Sequence, residues 1–378
     1  MFNFVFQNTT KLVFGKGQIA QLETLIPTDK KILITFGGGS VKRNGVYEQV
    51  KTALRNHNTI EFWGIEPNPA VETLRKAVQL GLDEKVDMLL AVGGGSVLDG
   101  TKLIAAAIAQ PQKDAWEIVK SGSAGPQIPF ASVMTLPATG SEMNNGAVIS
   151  CHETQEKFSF RGDYPTFSIL DPETTYSLPK YQIACSLADI VVHCFEQYMT
   201  TTGQSRVLDR WAEGVIASAM EIAPLVQADQ HNYEVMSDYM FSATMALNNF
   251  IRMGVTQDWS THQIGHELTA LCGVTHGESL AIVYPGTIDV LREQKKDKLL
   301  QFGSRVLGIT DEERIDEVIE RIEAFFKSLG LATRLSEKNI GVDVVEEIAR
   351  RFNERGVRLG EAQNVTGDVA REILMRRL

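Results

Sequence analysis

Apolar residues in the first half of the chain come in short, dense runs that stop at glycine or proline. KKILITF (30–36), TIEFWGI (59–65), DMLLAV (87–92), PFASVMTLP (129–137) and FSILDP (167–172) have the length of strands. Their near-continuous hydrophobicity predicts burial on both faces. Between them, apolar positions recur at three and four residues over Val46–Asn56, AVETLRKAVQLGL and TKLIAAAIAQ, the spacing of helices. Strand, glycine turn and helix in alternation predict a parallel sheet, because parallel neighbours need a crossover. At the N-terminus, FVF and KLVF joined by QNTT predict a hairpin.

Beyond Pro179 the pattern changes. ACSLADIVVHCFEQYM, WAEGVIASAMEIAPLV, DYMFSATMALNNFI, DEVIERIEAFFKSL and VVEEIARRF keep the helical period, with few convincing strands among them. The expectation is an α/β domain with a parallel sheet over 1–178 and an all-α domain over 179–378.

The 378 residues give room for two domains, and 43% hydrophobic content is that of an ordinary globule. A formal charge of −10 argues against nucleic acid as a partner. No apolar run approaches the roughly 18 residues of a membrane span. The N-terminus lacks the basic start and apolar stretch of a secretory signal, so a cytoplasmic location is expected. Cys151, Cys185, Cys194 and Cys272 form no CxxC pair and are expected to be buried free thiols.

Candidate chemistry is concentrated in two places. The run WSTHQIGHELTALCGVTHGES (259–279) holds His262, His266 and His276, out of seven histidines in the chain. His262 and His266 are four apart and share a helical face, while Gly273 and Gly277 are expected to break the helix and return His276 on a turn. Asp189 and His193, also four apart, repeat the spacing upstream. A single such pair is often an ordinary helix surface; two on otherwise apolar helices suggest one carboxylate and imidazole site for a divalent metal. Spacing alone pairs His262 with His266 as ligands.

The second place is a pair of glycine turns, FGGGS (36–40) and VGGGS (92–96), each ending a predicted strand. Small residues before a helix expose backbone amides at its positive end, a pocket for phosphate. Neither GxGxxG nor a phosphate-loop motif is present; Gly95 and Gly100 have the latter's spacing, but Thr101 and Lys102 come in reversed order. One turn could take a pyrophosphate and the other, Gly37, Gly38, Gly39 and Ser40, the adenosine end. FGGGSVKR offers no acid to ribose hydroxyls and adds Lys42 and Arg43, favouring the 2′-phosphate of NADP(H) over NAD. The ligands are expected to meet at the junction of the two domains.

Together, SILDPETTYSLPKYQIACSLADIVVHCFE (168–196), GGGSVLDGTK, LPATGSE and GVTQDWSTHQIGHELTALCGVTHGE (254–278) resemble the iron-containing, group III alcohol dehydrogenases, with their dehydroquinate synthase-like two-domain fold. FGGGSVKRNGVYEQV and DWSTHQIGHELTA are more narrowly similar to the NADPH-dependent aldehyde reductase and butanol dehydrogenase branch. The resemblance implies Asp189, His193, His262 and His276 as ligands of one divalent metal, Fe2+ or Zn2+ with Ni2+ or Mn2+ as further options. It moves His266 to the nicotinamide and substrate pocket as a catalytic residue with Asp99. It implies Gly94, Gly95 and Ser96 at the pyrophosphate, Thr135, Thr139 and Ser141 on the cofactor, and Lys157 at the ribose. In NAD-preferring relatives an Asp stands in the first glycine turn, where this chain has Gly38. The implied activity is hydride transfer between NADP(H) and a small primary alcohol or aldehyde. Rival expectations are a glycerol or polyol dehydrogenase, a cyclase of the same fold, and a regulator that binds nucleotide and metal without turnover. An N-terminal hairpin with an open edge would suit a homodimer.

Overall fold

The structure, a computed structural model, describes residues 1–378. Residues 7–178 with 229–244 form one compact unit, and residues 1–6, 179–228 and 245–378 the other.

The first unit is built on a six-stranded, all-parallel sheet in the order β1-β8-β5-β4-β2-β3. The strands are β1 (Lys11–Phe14), β2 (Lys31–Phe36), β3 (Asn58–Phe62), β4 (Met88–Gly94), β5 (Phe130–Leu136) and β8 (Phe167–Leu170). Alternate residues serve two cores. Leu33, Leu89, Ala91, Phe130 and Met134 pack with the helices Val71–Asp83 and Gly95–Ala109. Ile32, Ile34, Leu90, Val92 and Val133 face Ile19, Leu22, Val46 and Val50 on the other side. Apolar cover on both faces is why these runs show no polar alternation.

One expectation is corrected here. The N-terminal pieces make no hairpin: KLVF is β1, parallel to β8 with Lys11 opposite Phe167, and residues 1–10 carry no strand. A hairpin does form elsewhere, from β6 (Gly146–Cys151) and β7 (Glu156–Arg161), in a separate antiparallel sheet.

All eight strands lie before residue 171, and the second unit is helical. Its helices include Lys180–Tyr198, Arg206–Ala228, Ser260–Cys272, His276–Val290, Ile315–Ser328 and Val342–Glu354. Against the 1–178 and 179–378 division, residues 229–244 group with the sheet. Met240 enters the core beside the sheet, and Tyr239 donates to the Pro137 carbonyl at 3.2 Å. Residues 1–6 group with the helices, where Phe2 N donates to Gly254 O at 2.7 Å and the Phe6 ring meets Phe250. No helix is long and apolar enough to cross a membrane.

Candidate metal centre and nucleotide turns

In the helical unit, three helices gather four side chains around one carboxylate oxygen, and three of them, without His193, also lie mutually within ligand reach. Asp189 and His193 lie on one face of Lys180–Tyr198, His262 on the first turn of Ser260–Cys272, and His276 begins His276–Val290. The helix holding His262 ends at Gly273, whose φ of 67° needs no side chain. Gly277 does not break a helix; it lies inside one, where a Cβ would fall 2.0 Å from the Cys185 carbonyl oxygen. Its bare α-carbon lets the His276 helix start against the helix of Asp189.

Three imidazole Nε2 atoms converge on Asp189 Oδ1, at 3.3 Å from His193, 3.6 Å from His262 and 3.7 Å from His276. Such spacings are close to about 3.4 Å, the edge of a tetrahedron with ligand bonds of about 2.1 Å. Asp189 Oδ1 and His262 Nε2 are buried without a hydrogen-bond partner. A buried charge left unsatisfied is costly, whereas a divalent ion would satisfy both atoms, so the donor set fits a metal. Asp189, His262 and His276 offer ligand atoms all within 4.8 Å of one another. Burial pushes the His262 imidazole down, but the Glu196 and Asp189 carboxylates outweigh it and hold it up at about 9.

His266 does not join this set, contrary to spacing alone. Its ring is turned 89° from that of His262 with centroids 6.4 Å apart, and it lies 5.3 Å from His276. Trp259, at φ 68°, sets its ring 5.2 Å from His262. The four cysteines are free and outside the cluster. Burial pushes the Cys185 thiol up to about 12.

In the sheet unit, β2 and β4 are neighbours, so the turns Gly37–Ser40 and Gly94–Ser96 leave the carboxyl edge side by side. The chain runs outward to β3 from one and to β5 from the other, the switch point where open α/β sheets bind ligands. Leu136 pairs with Gly94, which brings residues 137–141 to the same edge. Gly95 opens a helix and packs so closely on Thr139 that a Cβ would lie 2.3 Å from its Oγ1. Thr135 and Ser141 are buried nearby on β5 and the loop after it.

Asp99 is buried, accepting from Ser141 Oγ at 2.6 Å and Val148 N at 2.9 Å. Burial pushes its carboxyl up. Lys102, on the next turn, donates to Ser141 Oγ at 2.8 Å, Asn144 O at 3.0 Å and Gly146 O at 2.7 Å. Burial lowers it to about 8 against the pull of Asp99. Lys157 on β7 reaches Asn68 Oδ1 at 3.0 Å, and Asn68 N donates to Ser96 Oγ at 3.2 Å. Asn68, Lys102 and Glu196 were given no place in the site from sequence, although Lys102 lies in GGGSVLDGTK and Glu196 shares a helical face with Asp189 and His193.

Residues 9–172 match the family model described as iron-containing alcohol dehydrogenase, and residues 183–377 its C-terminal counterpart. The chain is 46% identical to the NADPH-dependent aldehyde reductase YqhD of Escherichia coli over 99% of both chains. The crystal structure of that protein covers 100% of this chain and 99% of its own, with a TM-score of 0.98. An NADP-dependent alcohol dehydrogenase 3 of Entamoeba histolytica is 40% identical over 93% of each. The structure of NADH-dependent butanol dehydrogenase A of Thermotoga maritima has a TM-score of 0.95 at 32% identity, covering 100% of this chain and 99% of that one. The chain therefore belongs to the iron-containing alcohol dehydrogenase family, and is an oxidoreductase of the alcohol and aldehyde class.

Proposed function

We propose that this enzyme reduces small aldehydes to primary alcohols with NADPH, and runs the reverse reaction, using one divalent ion held by Asp189, His193, His262 and His276. The observation that carries the reading is the convergence of three Nε2 atoms on a buried carboxylate oxygen that has no hydrogen-bond partner. When bound, the ion polarises a carbonyl oxygen as a Lewis acid and the nicotinamide supplies hydride. Iron or zinc is the expected ion, with nickel and manganese also compatible with one carboxylate and three imidazoles.

The chain's own residues bind and orient. The helical unit is read as the metal-binding part and the sheet unit as the dinucleotide-binding part. Gly94, Gly95 and Ser96 present a helix N-terminus to the pyrophosphate. Gly37 to Ser40, with Lys42 and Arg43 following, receive the adenosine end and its 2′-phosphate. Thr135, Thr139 and Ser141 line the cofactor loop, and Lys157 reaches toward the ribose from β7. Asp99, with both oxygens accepting internal hydrogen bonds, holds that loop beside the nicotinamide. His266 lines the substrate pocket and is the candidate to hold a proton for the product oxygen. NADPH preference is supported by the NADPH dependence of the Escherichia coli relative and by Gly38, where a Cβ would meet nothing within 4 Å.

A cytoplasmic homodimer completes the reading. Four free cysteines suit a reducing compartment. The exposed side chains of Phe2, Phe4 and Val5 suit a partner surface.

The test is NADPH oxidation on a panel of short aldehydes, with NADH alongside, on metal-replete and chelated enzyme. Activity should vanish with chelation, return on adding Fe2+ or Zn2+, and fall at least about a thousandfold in His262→Ala, several kcal/mol of lost stabilisation. Undiminished aldehyde reduction by metal-stripped His262→Ala would falsify the metal reading. Turnover of glycerol but of no simple aldehyde would favour the polyol enzyme instead.

A further inference from the structure

Glu196 stands behind the donor cluster. It follows His193 by three residues and Asp189 by seven on the helix Lys180–Tyr198, so it shares their face. The residue is 2% exposed, and both oxygens are committed to the helix that carries His262. Oε1 accepts from Thr261 N at 2.7 Å; Oε2 accepts from His262 N at 3.2 Å and also binds the His262 ring at Nδ1.

A carboxylate at Nδ1 decides the tautomer of the neutral ring. In that neutral form, the one a metal requires, the hydrogen goes to Nδ1 and the lone pair is left on Nε2, which lies 3.6 Å from Asp189 Oδ1. The same carboxylate grips the amides of Thr261 and His262, fixing the backbone from which the ring hangs. We infer that Glu196 is a positioning residue for the metal, which rests on the metal reading above: it sets which nitrogen of His262 meets the ion without touching ion or substrate. Glutamine cannot substitute for it, because one oxygen must replace two acceptors. With that oxygen kept on Thr261 N, the amide nitrogen donates to Nδ1 and favours the tautomer whose Nε2 carries hydrogen, the wrong one for a metal.

Wild-type and Glu196→Gln proteins, stripped and reloaded with zinc, should be compared by chelator competition and by nitrogen-15 spectra of the histidine rings. The expected result is roughly 10- to 100-fold weaker zinc binding in the variant, with a His262 Nδ1–H signal in the zinc-loaded wild type that the variant lacks. A purely structural role would lower the unfolding midpoint and leave zinc affinity of the folded protein unchanged, so equal affinities overturn the inference while leaving the metal reading intact. A wild type that holds no divalent ion overturns both. Should the variant fail to fold, the wild-type spectrum decides alone, with hydrogen on Nδ1 supporting the inference and hydrogen on Nε2 overturning it.

Discussion

Gly38 and Gly39 are adjacent glycines present for different reasons. Gly39 has φ 92°, which L side chains rarely adopt, whereas Gly38 has no positive φ and its Cβ would meet nothing within 4 Å. Neither backbone nor packing requires glycine at 38, which leaves room for a ligand as the reason. Gly38→Asp should fold normally and place a carboxylate where a 2′-phosphate is expected. The ratio of kcat/KM with NADPH to that with NADH should drop by roughly tenfold or more, the effect of about 1.4 kcal/mol of like-charge repulsion; an unchanged ratio would place the 2′-phosphate elsewhere. Lys102 makes a different prediction. The unfolded chain keeps its proton up to about 10.5 and the folded chain only to about 8, because burial lowers the pKa. Folding therefore releases this proton between those values, and the lysine's contribution to stability rises with pH across the window. Urea unfolding at both ends should show wild type gaining about 3 kcal/mol relative to Lys102→Met. At this scale the sequence was informative for Asp189 and His193, whose spacing is local. It contained Glu196 at the end of the 168–196 stretch but gave it no role, because its partner His262 is 66 residues away.

At the scale of elements, Gly277 shows how one α-carbon sets a site. A methyl there would meet Cys185 backbone at 2.0 Å, so the His276 helix and the Asp189 helix could no longer lie at their present separation. Gly277→Ala should cost about 1–3 kcal/mol of stability or more and weaken metal binding. At Gly273 a Cβ meets open space, so alanine there carries only the cost of its left-handed backbone, about 1 kcal/mol. Thermal unfolding and chelator competition on both variants check the contrast; equal effects would show that the close approach does not shape the site. Periodicity identified the parallel strands and most helices because their apolar faces are complete. It missed β6 and β7, where GAVISC and EKFSFR are joined by a turn without the usual Asn-Gly signal, Gln155 taking the left-handed conformation instead. It also read a hairpin into residues 1–14, since β propensity cannot say that KLVF finds its partner in β8, more than 150 residues on.

On the scale of the whole molecule, chain order and spatial grouping part company. The stretch 229–244 belongs with the sheet through Met240 and through Thr244, which donates to Glu142 Oε1 at 2.5 Å. The first six residues belong with the helices, leaving Val5 97% exposed and Phe2 63% exposed. If this apolar arm meets a second copy, deleting residues 2–6 should turn a dimer into a monomer in light scattering at micromolar concentration, with the metal retained; a truncated protein of unchanged mass would rule the arm out as the contact. By itself the sequence determined what is periodic or contiguous: two kinds of domain, two glycine turns after buried strands, two i,i+4 pairs of metal-type side chains of which one converges, and a net acidic composition. Only the tertiary structure decided what depends on distant backbone meeting distant backbone. It chose His276 over His266 as the third imidazole beside Asp189, turned Asp99 inward onto Ser141 and Val148, and set Glu196 behind His262. The division has a physical cause: the hydrophobic pattern is written locally by solvent, whereas ligand convergence depends on helix crossings that a single missing methyl, as at Gly277, makes possible.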